Sequence, residues 1–280
     1  MHMESEGLEE RWALLSDPHL DANLAAVSRQ GVNMAENFRR VLDEVLAEQK
    51  PLHGVIINGD CAHLKGRSGD YAALGKLLEP VREAGLRVHF TLGNHDDRAV
   101  FLEAFPSEKT NLVDGKQVSV LEGAVADWVF LDSLRGSNKV EGELGPAQLT
   151  WLRAHLEGSA AKPVILVGHH YPQVFRDDII MAEPKIQIGG LIDGEEFLRL
   201  VNRCPRAKVY VFGHSHDWGV SRASLDVHQV NLPPTSYVFR PSRPNGWVRA
   251  VVHPGGMMLE LRALDSAHPE HGRKIELKWR

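Results

Sequence analysis

Val88-His89-Phe90-Thr91-Leu92-Gly93-Asn94-His95-Asp96 is a short apolar run that stops at a glycine and then offers an amide, an imidazole and a carboxylate in succession. Four other runs end in a similar way. Trp12-Ala13-Leu14-Leu15 leads into Ser16-Asp17-Pro18-His19, and Gly54-Val55-Ile56-Ile57 into Asn58-Gly59-Asp60. Val164-Ile165-Leu166-Val167 leads into Gly168-His169-His170, and Val209-Tyr210-Val211-Phe212 into Gly213-His214-Ser215-His216. Runs of this length, rich in Val, Ile, Leu and Phe, are expected as strands buried on both faces of a sheet. Ligands of open α/β sheets sit outside the carboxyl ends of the strands, so all five runs are expected to deliver metal-binding residue types to one edge.

Between the runs lie helical patterns. The clearest starts with Asn33 as N-cap and Glu36 at N3, and lines up Phe38, Val41, Leu42, Val45 and Leu46. Others are expected near Tyr71–Ala84, Ala147–Leu156 and Glu195–Val201. Gln117–Val120 with Trp128–Leu131, and Trp247–Val252 with Met257–Leu261, read as antiparallel pairs; Ile275–Trp279 alternates like an edge strand. Strands alternating with helices predict an α/β layered fold. The chain is read as a single domain over residues 1–280, with residues 12–217 carrying the site and 218–280 supplying C-terminal strands and a tail.

Composition narrows the function. A formal net charge of −5 over 280 residues argues against a nucleic-acid polymer as partner. The two cysteines, Cys61 and Cys204, form no CxxC pair, so neither a disulfide framework nor a thiolate zinc site is expected. No apolar run approaches the roughly 20 residues that span a bilayer, and the charged start, Met1–Arg11, has no apolar leader core. No membrane association and a cytoplasmic location are therefore expected.

The order Asp-x-His, Gly-Asp, Gly-Asn-His-Asp, His, Gly-His-x-His resembles the calcineurin-like metallophosphoesterase superfamily, most closely its class III cyclic-nucleotide phosphodiesterase and glycerophosphodiesterase branch. The resemblance runs from about Leu14 to Asp217, with Asn231-Leu232-Pro233-Pro234 also similar. It implies a four-layer α-β-β-α sandwich with two mixed sheets and the metal site at the strand C-terminal ends. It further implies one metal on Asp17, His19, Asp60 and His216, and a second on Asp60, Asn94, His169 and His214. The nitrogen and oxygen donors suit manganese, iron or zinc. The implied reaction is hydrolysis of a small phosphodiester by a metal-bound hydroxide, with His95 contacting the substrate phosphate and assisting the leaving oxygen. Tyr171 replaces the first proline of the family's His-His-Pro-Pro motif; His169 is taken as the ligand, and His170 as a group near the site that faces the substrate or stands behind the ligands.

Asp96 has two readings, a partner that fixes the His95 tautomer or a carboxylate that stabilises the loop. His63 and Arg98 are further candidates for the cleft, against surface roles, and Asp217 for a group behind His216. Trp218 and Tyr237 are read as packing. The same dinuclear core also serves phosphomonoesterases, and a non-catalytic scaffold of this fold is the remaining alternative. A homodimer through the C-terminal strands rests on analogy with the branch.

Overall fold

The computed structural model describes residues 8–109, 111–158, 162–172, 189–222 and 227–279; most of the charged N-terminal stretch, residues 1–7, lies outside them. Two six-stranded mixed sheets organise the chain. The first runs, edge to edge, Lys274–Lys278, Gly256–Ala263, Gly246–His253, Glu10–Ser16, Gly54–Asn58 and Val88–Thr91. The second runs Gly219–Arg222, His228–Asn231, Ala207–Phe212, Val164–Val167, Asp127–Phe130 and Ser119–Leu121. All five apolar runs are parallel members of these sheets, three in the first and two in the second.

Alternation along each strand sets the layers, because successive side chains face opposite ways. Ala13, Leu15, Val55 and Ile57 pack with Phe38, Val41, Leu42 and Phe101 of the helices outside the first sheet. Their neighbours Trp12, Leu14 and Ile56 point inward against Trp128, Ile165, Val209 and Val211 of the second sheet. Val129, Leu166 and Tyr210 face the other way, onto Leu149, Leu152, Phe197 and Val201. Helix, sheet, sheet, helix is the four-layer sandwich expected. No helix among the described residues is long and apolar enough to cross a membrane.

The helix Met34–Leu46 starts as read, with the Asn33 side chain accepting from the Glu36 amide at 2.9 Å. The expected helix Tyr71–Ala84 is instead two, Ser68–Leu77 and Glu79–Glu83, since Pro80 at the start of the second has no N–H to continue the ladder. A further helix, Arg98–Ala104, is capped by Asp97, which accepts from Ala99 N and Val100 N. Both antiparallel pairs are present; Gln117 itself pairs across a separate ribbon, Leu112–Val113 with Lys116–Gln117.

Candidate metal centre

The carboxyl ends of the two sheets are stitched together by short contacts. His19 N donates to Asp60 O at 2.9 Å, and Gly213 N to His169 O at 3.0 Å. Across the sheets, His214 N donates to Asp17 Oδ2 at 3.2 Å and His169 Nδ1 to Asn58 O at 3.0 Å. Backbone must pass close to side chains here: a Cβ on Gly93 would lie 2.2 Å from Asp60 Oδ1. Asp17, His19, Asp60, His214 and His216 all take left-handed backbone conformations, with φ between 46° and 65°. That conformation costs a non-glycine residue of order 1 kcal/mol or more, and such strain concentrates where side chains must be aimed.

Two clusters result, joined at one carboxylate. In the first, His19 Nε2 lies 3.0 Å from His216 Nε2, which is 3.5 Å from Asp17 Oδ1. In the second, Asp60 and His169 meet His214. Asp60 Oδ2 stands between them, 3.5 Å from His19 Nε2 and 3.4 Å from His169 Nε2. All six side chains are at most 6% exposed, as is Asn94 at 4%.

Hydrogen bonds to backbone carbonyls select which ring nitrogen His169, His214 and His216 offer. A carbonyl only accepts, so the nitrogen facing it carries the proton. His169 Nδ1 faces Asn58 O, His216 Nδ1 faces Tyr237 O at 2.6 Å, and His214 Nε2 faces Gly189 O at 3.0 Å. In the neutral form of each ring the opposite nitrogen carries the lone pair. Asp17 Oδ1, Asn94 Oδ1 and His169 Nε2 are buried without any hydrogen-bond partner. Buried polar atoms left bare cost on the order of 1–3 kcal/mol each, and a cation at their focus removes that cost. These residues therefore fit metal ions, and the donor set is imidazole, carboxylate and amide.

The charges agree. Burial pushes His19 well below its usual pKa, and burial reinforced by His169 takes His214 down to about 3, so both stay neutral. Burial alone would also lower His169, but the Asp60 and Asp17 carboxylates outweigh it and raise it to about 9. A cation placed there takes over the role of that proton. Burial likewise opposes the charge of Asp60, yet His169 and His95 hold it well below the carboxylate range.

His95 joins His19 and Asp60 in a third group of possible metal-binding atoms; its amide donates to Asp60 Oδ1 at 2.8 Å and its Nδ1 faces Leu64 O at 3.1 Å. No hydrogen bond joins Asp96 to that ring among the described residues. Asp96 accepts from Cys61 N, Ala62 N, Gly93 N and the Tyr71 hydroxyl, tying two ligand loops together. His170 is fully buried, with Nδ1 2.8 Å from Ser133 Oγ and its ring 4.6 Å from that of His214. His63 stands half-buried, its ring 6.4 Å from His19. The Arg98 guanidinium is committed to Asp132 and the Leu134 carbonyl. Asp217 holds Arg240 and Arg243. Tyr237 packs its ring 5.3 Å from that of His19, and its backbone carbonyl accepts from His216 Nδ1. Nothing in its sequence spacing signals this, because 21 residues separate it from His216.

The family model described as calcineurin-like phosphoesterase matches residues 11–218. A probable cyclic nucleotide phosphodiesterase of Synechococcus sp. (strain WH7803) is 29% identical over 256 residues, covering 88% of this chain and 90% of that protein. The 3′,5′-cyclic adenosine monophosphate phosphodiesterase CpdA of Vibrio vulnificus is 25% identical over 94% of this chain and 90% of its own. Among solved structures, a dimetal phosphatase from Danio rerio superposes with a TM-score of 0.72 at 16% identity, covering 97% of this chain and 99% of that one, a likeness of fold.

Proposed function

The chain belongs to the calcineurin-like phosphoesterase family, and on that premise we propose that it hydrolyses a small phosphodiester of the cyclic-nucleotide type at the two clusters joined by Asp60. The observation that carries the reading is the position of Asp60 Oδ2, within 3.5 Å of one imidazole from each cluster. Asp17, His19, Asp60 and His216 would hold one ion, and Asp60, Asn94, His169 and His214 the other. Manganese, iron and zinc suit these donors. When bound, two such ions supply a water acidified towards neutrality and positive charge for the phosphoryl oxygens.

The chain's own groups do the rest. His95 keeps Nδ1–H on the Leu64 carbonyl, which leaves Nε2 towards His19 and Asp60. In its protonated form that nitrogen donates to the departing oxygen, the general-acid role a diester with a poor leaving group needs. Asn58, Tyr237 and Gly189 carbonyls keep the ligand rings from turning. The names of the relatives support the diester over the monoester.

The test is paired hydrolysis. Protein stripped with chelator and refilled with manganese is given bis(p-nitrophenyl) phosphate and p-nitrophenyl phosphate side by side, with Asp60→Asn as control. Metal-restored turnover favouring the diester is expected. Asp60→Asn is expected to lose at least ~100-fold, since removing even an outer partner of a metal ligand costs roughly 10–100-fold. Preference for the monoester refutes the diester reading, and full activity in Asp60→Asn refutes the two-cluster mechanism.

A further inference from the structure

We propose that Tyr237 and Phe239 form the wall on which the planar base of the nucleotide lies, and so set the preference for nucleotide over aliphatic diesters. This rests on the phosphodiester reading above. Both rings are half-buried and border the first cluster: Phe239 stacks on His216 with centroids 4.4 Å apart and planes 25° from parallel, and Tyr237 lies 4.6 Å from His216 and 5.3 Å from His19. Aromatic surface directly beside the ligands is placed to meet whatever hangs from the phosphorus. A nucleobase stacks on such a surface, whereas a glycerol or ethanolamine group does not.

The loop that carries these rings is pinned at both ends. Thr235 N donates to Ser16 O at 2.8 Å, Ser236 Oγ to Asp17 O at 2.6 Å, and Asn245 Nδ2 to Ser236 O at 3.0 Å. Asp217, the residue after the ligand His216, accepts from both Arg240 and Arg243, and Arg243 also donates to the Trp218 carbonyl. A wall already fixed loses little freedom when a base settles on it, so stacking adds more fully to binding. The Tyr237 hydroxyl has no hydrogen-bond partner among the described residues.

The experiment compares kcat/KM for 3′,5′-cyclic AMP and for glycerophosphoethanolamine in the manganese-loaded protein and in Phe239→Leu and Phe239→Trp, with bound metal measured in each. Base–aromatic stacking is of order 1–3 kcal/mol, so the ratio of nucleotide to aliphatic kcat/KM should fall roughly 5- to 150-fold in Phe239→Leu. The fall should sit mainly in KM, and Phe239→Trp should restore the ratio, because it keeps the aromatic face. A ratio unchanged in Phe239→Leu, or one that Phe239→Trp leaves as low as Leu does, overturns the inference while the diester reading stands. Turnover of neither diester by the metal-loaded wild type overturns both.

Discussion

Asp96→Asn separates the two roles this carboxylate had in the sequence. Its Oδ1 serves Ala62 N and the Tyr71 hydroxyl, and its Oδ2 serves Cys61 N and Gly93 N. An amide has one oxygen, so one of those pairs must face an NH₂ group. The less costly orientation puts the nitrogen towards Tyr71, whose oxygen can accept, and keeps Cys61 N and Gly93 N satisfied. Ala62 N then loses a bond to a charged acceptor, about 1.5–3 kcal/mol, and the two remaining bonds weaken to neutral ones. The sum is about 2–4 kcal/mol. Burial and the nearby Asp60 charge raise Asp96 to about 6, so the measurement belongs at pH 8, where the wild-type group is ionised. Urea unfolding at that pH should show the loss as a lower midpoint with unchanged slope. Manganese affinity should fall too, because the bonds tie the loop of Asp60 to that of Asn94 and His95. A variant as stable as wild type that lost only kcat would refute the clamp and restore Asp96 as the partner of His95.

His95→Gln should lower kcat on a cyclic nucleotide by about 10²–10⁴-fold and less on bis(p-nitrophenyl) phosphate, whose leaving group needs no proton. Equal losses on the two substrates, from steady-state rates, would count against the general-acid role. His89 faces Phe130 at 5.6 Å in a stacked arrangement and has a buried Nε2 without partner; burial, then Arg87, lowers it from 6.5 to about 4. The fold therefore favours its neutral form, so the stability it allows is intact above pH 6.5 and is lost as pH falls towards 4. The wild type should lose about 1–2 kcal/mol between pH 8 and pH 5 from this group, after allowance for its partial exposure. His89→Leu should show a correspondingly flatter profile in urea titrations, and an identical profile would remove His89 from the account.

The ligand residue types were legible because chemistry and chain geometry coincide at strand ends. A buried parallel strand is a continuous apolar run, and the residue after it must leave the sheet at the edge where sites form, so Asp17, Asp60, Asn94, His169 and His214 announce themselves locally. The break at Pro80 was legible in principle, since a missing N–H is a local fact that the helical stripe from Tyr71 to Ala84 hid. Arg98 was not, because its partner Asp132 lies 34 residues away.

The sequence by itself determined the five buried parallel runs, the donor types and the edge at which they gather, all of which follow from hydrophobic period and residue chemistry within a few positions. Only the tertiary structure decided which ring nitrogen His169, His214 and His216 turn to a backbone carbonyl, that Asp96 accepts from both ligand loops, and that Tyr237 and Phe239 border the ligands. Each of those depends on a partner brought close by sheet packing, and a hydrogen bond acting over 3 Å has no counterpart in sequence distance.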